Sequence, residues 1–229
     1  MRRSPGTLRP VGLRTERLIL RPWEAEDLDP FAALNADPDV TAFLGEPFTR
    51  SRSDEMAGRI RSHWEEHGFG LWAVELPGRE PFIGFVGLSI PRFEAPFTPC
   101  VEVGWRLARA HWGRGYASEG ARAALAFGFD TLKLKEIVSF TAVANARSRR
   151  VMERIGMRRS EGEDFDHPGL PAGHALRPHV LYRISQERWR SRAQAGEPGG
   201  GALPLSPPAP CPISGPGRPR GRRRSPGST

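Results

Sequence analysis

The sequence predicts an α/β fold of the α+β kind: one mixed sheet with helices on both faces. Three observations lead there. Apolar runs with a period of two or with strand length recur from Arg17 to Ser185, and helix-period stretches separate only some of them. Three strand patterns follow one another between residues 69 and 107 with no helix between them, whereas the chain after 107 alternates helix, strand, helix. A hydrophobic content of 38%, with aromatic residues making up 9% of the chain, supplies over 229 residues a real core for one domain of ordinary size.

The elements follow in order. Arg17-Leu-Ile-Leu-Arg21 is a short strand ended by Pro22, and the acidic stretch Glu24–Asp29 opens a helix, because carboxylates favour a helix N-terminus. Leu28, Phe31 and Leu34 lie on its apolar face, and it fades at Asp37-Pro38. Thr49–Ser53 caps a second helix with Met56, Ile60 and Trp64 on one face, broken by Gly68 and Gly70. Strands follow at Phe69–Leu76, Phe82–Ile90 and Cys100–Leu107, the first two joined by the turn Pro77-Gly-Arg-Glu-Pro81. Arg114–Phe129 reads as a helix, Ile137–Val143 as a strand, and Arg147–Ile155 as a short helix stopped by Gly156. Met157–Glu161 and Pro178–Ser185 form a closing strand pair. Trp23, Trp64, Trp72 and Trp105 are expected in the core or in a pocket wall.

Charge and composition set the outer boundaries. Residues 1–14 carry four Arg and no acid, and residues 191–229 carry six Arg against one Glu, so the formal charge of +8 belongs to the ends and the body is near neutral. The last 39 residues hold eight Gly and nine Pro, too little apolar surface to offset ordering entropy. The organisation expected is a basic extension over 1–12, one domain over 13–190 and a disordered tail over 191–229. The tail favours solvation over nucleic-acid binding, which its composition supports only weakly. Two cysteines imply no disulfide framework, no window of 18 apolar residues suggests a membrane span, and the basic N-terminus lacks the apolar stretch of a secretory signal. A soluble cytoplasmic protein is expected. His63 and His67 are four apart on a helix but lack a third ligand, so a solvated pair is expected and no metal.

The most informative segment runs from Val101 to Glu119, a strand entering a glycine-rich turn that opens a helix. Helix N-termini present unpaired N–H groups and partial positive charge, and Gly113 and Gly115 let a ligand approach the backbone, which suits a phosphate. Arg114 adds a cation, and Arg109 is a second candidate. The nucleotide-hydrolysing P-loop pattern is absent. Gly113-x-Gly115-x-x-Ser118, with Glu136 about 20 residues on, approaches a dinucleotide fingerprint. Three strands without alternating helices precede it, which argues against that fold.

Trp112-Gly-Arg-Gly115-Tyr-Ala117 resembles the acyl-CoA pyrophosphate loop of the GNAT acetyltransferase superfamily, with Trp112 at the position usually held by Gln or Arg. Asn145-Ala-Arg-Ser148, continuing through Glu153 to Gly156-Met157, and the opening Leu13-Arg-Thr-Glu16-Arg17-Leu-x-Leu-Arg21 are similar to the branch of ribosomal-protein N-terminal alanine acetyltransferases. The resemblance implies a mostly antiparallel sheet split between its fourth and fifth strands, Cys100–Leu107 and Ile137–Val143. It also implies acetyl-CoA as co-substrate, its pantetheine arm paired to the fourth strand as an added strand would be. Trp105, Leu107, Trp112, Gly113, Arg114, Gly115, Tyr116, Ala117, Asn145 and Ser148 are then the cofactor-binding candidates.

The chemistry implied is acetyl transfer to a primary amine, on a protein N-terminus or a small molecule, by direct attack. Cys100, at a strand start beside Pro99, is poorly placed as a nucleophile. An ammonium must first lose a proton; Glu102 is the leading base, with His167 or His179 the competing assignment. Strand alternation puts Glu102 opposite Val101 and Val103 but leaves open which face is the site. Asn145 is also a candidate helix cap. Many members carry a Tyr seven residues after it as the acid; here Met152 stands there, and Ser148 is the substitute. An inactive CoA-binding module and a nucleic-acid-associated protein acting through its basic tail are the alternatives.

Overall fold

A computed structural model of the chain describes residues 11–196 and the backbone of Leu203–Pro204. Its strands are β1 (Leu13–Arg14), β2 (Ile19–Arg21), β3 (Leu71–Leu76), β4 (Glu80–Ser89), β5 (Glu102–Leu107), β6 (Glu136–Ala142), β7 (Arg158–Arg159), β8 (Phe165–Asp166), β9 (Pro178–Ser185) and β10 (Leu203–Pro204). Its helices are α1 (Leu28–Ala36), α2 (Pro38–Thr41), α3 (Arg50–His67), α4 (Tyr116–Ala126), α5 (Ala146–Arg154) and α6 (Gln186–Gln194). The strands form one sheet in the order β10-β1-β2-β3-β4-β5-β6-β9-β7, with β8 also on β9. Every pairing is antiparallel except β5 with β6. That exception follows from connectivity: α4 lies between these two strands in sequence, and a crossover of this kind returns the chain in the same direction.

Alternation along β4 assigns the layers. Phe85 meets Phe31 of α1 edge-on at 6.0 Å, so its face carries α1 and α3. Val86 points the other way and lies directly beneath Gly120 of α4; a Cβ there would fall 2.8 Å from Val86 Cγ1. Glycine at 120 therefore sets how closely α4 can approach the sheet. Trp72, Phe31, Phe129, Leu18, Leu20 and Ile83 are among the fully buried side chains of one continuous core. Arg21 pairs with the buried Asp27 at 2.8 Å and with Glu75 at 3.2 Å, tying the entry to α1 onto the sheet.

Several expectations need correction. The helix expected from Arg114 starts at Tyr116, because Gly115 takes φ 82 as its N-cap, and past Ala126 it loosens into a wider turn over Phe127–Thr131. The first helix does end at Asp37-Pro38 as expected, with Asp37 as its C-cap; Asp37 also accepts from the Asp39 N–H and caps a short further helix, α2, with Pro38 at its first position. His63 and His67 are not a solvated pair. His63 is buried; its Nδ1 bonds the Phe69 carbonyl at 2.9 Å and its Nε2 accepts the Ile90 N–H at 3.0 Å, so it pins α3 to two strand ends.

The outer boundaries also differ from those expected. Val11, inside the expected extension, accepts a bond from Trp72 Nε1 at 2.8 Å. Helix α6 runs across residue 190, with Trp189 buried and its ring 5.9 Å from Phe129. Beyond it, Leu203–Pro204 pairs with Arg14–Leu13. Residues 1–10, 197–202 and 205–229 of the expected extension and tail lie outside the described residues. Trp189→Ala should therefore lower the unfolding free energy by about 3 kcal/mol, the usual cost of emptying a buried aromatic site. Urea denaturation reads this directly, and an unchanged midpoint would show that α6 contributes nothing to the body.

Candidate active site

Strands β5 and β6 are bridged at one point. Glu102 pairs with Val138, whose N–H donates to the Val101 carbonyl at 2.9 Å. Past that bridge no further pairing joins them, and a cavity of about 890 Å³ opens between them. Its walls come from β5, β6, the first turns of α4 and α5, the segment around Val40, and the two histidines of the β8–β9 region.

At one end lies the glycine turn. Gly113 (φ 74) and Gly115 (φ 82) both take the left-handed conformation that favours glycine. The first helical bond of α4 runs from the Glu119 N–H to the Gly115 carbonyl at 3.0 Å, so the N–H groups of Tyr116, Ala117 and Ser118 are not used by the helix and sit at its positive end. Trp112 Nε1 donates to the Leu107 carbonyl at 2.8 Å, and the Arg147 guanidinium stacks 4.7 Å above the Trp112 ring. The turn is therefore held both to the end of β5 and to α5.

A brace from the N-terminal segment completes it. Glu119 accepts from Arg17 Nε at 2.7 Å, from the Arg17 N–H at 2.8 Å and from Thr15 Oγ1 at 2.6 Å, while Arg17 Nη1 donates to the Arg114 carbonyl at 3.0 Å. Thr15 and Arg17 of the opening motif thus shape the turn from behind. Asn145 caps α5: its Oδ1 accepts the Ser148 N–H at 3.2 Å, and its Nδ2 donates to Thr141 Oγ1 at 2.9 Å and Ser148 Oγ at 3.1 Å. Ser148 Oγ accepts there, leaving its own hydrogen free to donate toward the cavity it lines.

The register resolves the face of Glu102. It lies opposite Ser89, as Gly104 lies opposite Gly87 and Arg106 opposite Phe85, so all three point to the α1 and α3 side. Glu102 is half-buried in the cavity wall with no ion-pair partner among the described residues, and desolvation by the surrounding protein pushes its pKa up to about 8. His167 and His179 stand 4.9 Å apart, ring to ring, and burial lowers both pKa values, so both are neutral near pH 7. His179 Nδ1 bonds the Arg177 carbonyl at 3.0 Å, so that nitrogen donates and Nε2 is left as an acceptor. His167 Nδ1 accepts the Gly169 N–H at 3.1 Å, so the proton of its neutral ring sits on Nε2. Met152 is buried and lines the cavity. The Cys100 thiol is pushed up to about 11 by burial, chiefly, and by Glu102, so it carries negligible thiolate near neutral pH.

The model of the acetyltransferase (GNAT) domain matches residues 17–158. The chain belongs to the GNAT acetyltransferase family. It is 32% identical over 188 residues to the FsC-acetyl coenzyme A-N(2)-transacetylase of Aspergillus fumigatus, covering 77% of each chain. A putative ribosomal N-acetyltransferase of Bacillus subtilis, YdaF, is 31% identical over 88 residues, 38% of this chain and 46% of that one. The crystal structure of a GNAT-family acetyltransferase from Bacillus anthracis superposes with a TM-score of 0.63 at 28% identity, over 77% of this chain and 99% of that one.

This GNAT protein is an acyltransferase that uses acetyl-CoA as co-substrate. The split sheet, the N–H groups at the start of α4 and the left-handed glycines fit that molecule. Among the described residues no group of three His, Cys, Asp or Glu could hold a metal ion, and no helix is long and apolar enough to cross a membrane.

Of the residues singled out in sequence, Glu102, Trp105, Leu107, Trp112, Gly113, Gly115, Tyr116, Ala117, Asn145, Ser148, His167 and His179 all line the one cavity. Arg114 does not: its side chain is exposed outside the lining, and its carbonyl serves the Arg17 brace. Arg109 is taken up by an ion pair with Asp39. Sequence reasoning missed Arg106 and Arg17. The signal for Arg106 was available, a charge two alternations beyond Glu102 on a strand whose other face is apolar.

Gly115→Glu should lower acetyl-CoA affinity by well over tenfold, since it sets a side chain in strained left-handed backbone and a carboxylate beside the unpaired N–H groups. Calorimetric titration of a variant that still unfolds cooperatively checks this; unchanged affinity would remove the turn from the binding site.

Proposed function

We propose that this enzyme acetylates a primary amine by direct transfer within a ternary complex, with Glu102 as general base. The observation that carries the reading is the shared cavity: the free edge of β5, the N-terminus of α4 and the Glu102 carboxyl all open into it. Acetyl-CoA would lie along β5 with its pyrophosphate at Gly113–Ala117, leaving the α1 and α3 side for the amine. The amine's proton passes to the Glu102 carboxylate as its nitrogen bonds the acetyl carbon. A departing thiol has a pKa of about 8.5, so its thiolate is a tolerable leaving group, and Ser148, whose hydroxyl lines the cavity, would donate the proton that Met152 cannot supply. The raised thiol pKa and placement of Cys100 favour direct transfer over an acyl-cysteine route.

The acceptor is a protein N-terminus or a small-molecule amine. The Aspergillus relative is named for acetylation at an N(2) position and the Bacillus one for a ribosomal target, which supports both kinds. A screen of free amines and N-terminal peptides, following CoA release, tests the reading. Turnover with a primary amine supports it. Acetyl-CoA binding with no turnover on any acceptor would instead establish an inactive CoA-binding module, the alternative that buried Met152 favours.

The pH dependence follows from the Glu102 environment. Its folded pKa is raised, so the carboxyl is protonated and cannot act as a base at pH 6, and ionises as pH rises through about 8. kcat/KM should climb through that range. Glu102→Gln should lower kcat by roughly 10²-fold or more, the usual worth of general-base catalysis, with acetyl-CoA affinity little changed and that limb gone. A near-normal Glu102→Gln enzyme beside a slow His179→Ala enzyme would move the base to His179 Nε2.

A further inference from the structure

Arg106 is a cation that the protein places in this cavity without an acid. It lies on β5 on the same face as Glu102, four residues on, so their Cα atoms stand roughly 13 Å apart at a strand rise of about 3.3 Å per residue. Arg106 is half-buried, and its partial withdrawal from water lowers its pKa to about 10, with the nearby charge of Arg52 adding to the effect. Among the described residues no carboxylate lies within ion-pair distance of Arg106 or of Arg52, whereas Arg17, Arg21, Arg50, Arg109 and Arg183 each have one.

Two built features hold it there. A buried polar chain runs from Ser53 Oγ, which accepts from Asn35 Nδ2 at 2.8 Å, to Asn35 Oδ1, which accepts from Arg106 Nη1. Asn35 and Ser53 are both essentially inaccessible to water, so the chain fixes the direction of the guanidinium and uses only one of its two terminal nitrogens. The Phe48 ring takes the Arg52 guanidinium at 3.8 Å and that of Arg106 at 5.2 Å, and Phe85 lies 5.4 Å from Arg106. The aromatic faces moderate the repulsion between two neighbouring cations but supply no counter-charge. A buried charge is ordinarily paired, and a planar fork of donors left open toward a cavity matches the two oxygens of a carboxylate.

We propose that the acceptor amine carries a carboxylate, which Arg106 binds while Glu102 faces the amine. This rests on the reading of the cavity as an amine-acceptor site and narrows it to a class: amino acids and related amines with a free acid group, the fork at one end and the base at the other. Asn35 is then a positioning residue, and the charge of Arg52, outside the cavity lining, adds to the positive potential at Arg106.

Matched pairs of acceptors test this: ω-amino acids with one to five methylenes between amine and carboxylate, each against its carboxamide. Wild-type kcat/KM should favour the carboxylate by tenfold or more for at least one length, the usual worth of a hydrogen bond to a charged group. In Arg106→Gln that ratio should fall to near one while KM for acetyl-CoA stays within twofold; Arg106→Lys, which keeps the charge but not the fork, should retain part of it. A structural tether between β5 and α1 would lower stability and both rates together and leave the ratio unmoved. The same pairs titrated into the CoA complex by calorimetry read the preference without turnover. Equal rates for acid and amide across the series, with CoA released, would overturn the carboxylate assignment and leave amine acetylation standing. No CoA release from any amine, with no difference between acid and amide in binding, would overturn both.

Discussion

The single bridge between Glu102 and Val138 is the constraint on which the rest of the site depends. Every other neighbouring pair of long strands in this sheet is antiparallel and continuous over several residues, so a gap can open only where the chain crosses over through α4. A parallel pair is somewhat less stable per residue than an antiparallel one, and here it is reduced to its first contact. The consequence is a strand, β5, that is fully paired to β4 on one edge and free on the other along Val103–Leu107. Unpaired backbone in a protein interior is costly, and an amide-bearing ligand arm is what such an edge can accept.

The surroundings of the gap keep it open at a fixed width. Trp112 bonds the last carbonyl of β5 and stacks under Arg147 of α5, so the two walls are tied at the mouth rather than along the strands. Arg17 and Glu119 hold the glycine turn from behind through four bonds that involve side chains alone or a side chain with backbone. Asn145 does the same for α5 by bonding both forward to Ser148 and back to Thr141 of β6. Gly120 lets α4 settle onto Val86. The polar groups lining the cavity are costly to the fold: Glu102 and Arg106 are both half-buried and partly desolvated without a mutual partner. Retaining two such groups on one strand face is the mark of a site arranged for chemistry rather than for stability.

What could be read from the sequence was what is encoded locally. Gly113 and Gly115 announce a turn that needs left-handed backbone, Asn145 announces a cap three residues before Ser148, and apolar periodicity places α3, β3, β4 and β6 within about two residues. Non-local features were not legible. Alternation shows that Glu102 and Val103 face opposite ways but carries no information about which helices cover which face; pairing with Ser89 decides it. Composition suggested that order ends near residue 190, yet one tryptophan on Phe129 is enough to anchor α6 across that point. The histidine pair of α3 looked solvated because its bonding partners, the backbone of Phe69 and Ile90, lie on other elements. Arg106 could be noticed as a charge on a strand whose other face is apolar, but the absence of an acid around it, which gives it significance, is a three-dimensional property that the sequence does not carry.

The central claim is that acetyl-CoA completes the free edge of β5 where the sheet splits. Amide hydrogen exchange with and without acetyl-CoA tests it most directly. The account predicts slowed exchange at the amides of Val103–Leu107 that face away from β4 and at Gly115–Ser118, with little change in β3 and in the β3–β4 pairing. Saturating acetyl-CoA that leaves β5 and the start of α4 unprotected, or protects a different edge of the sheet, would contradict it.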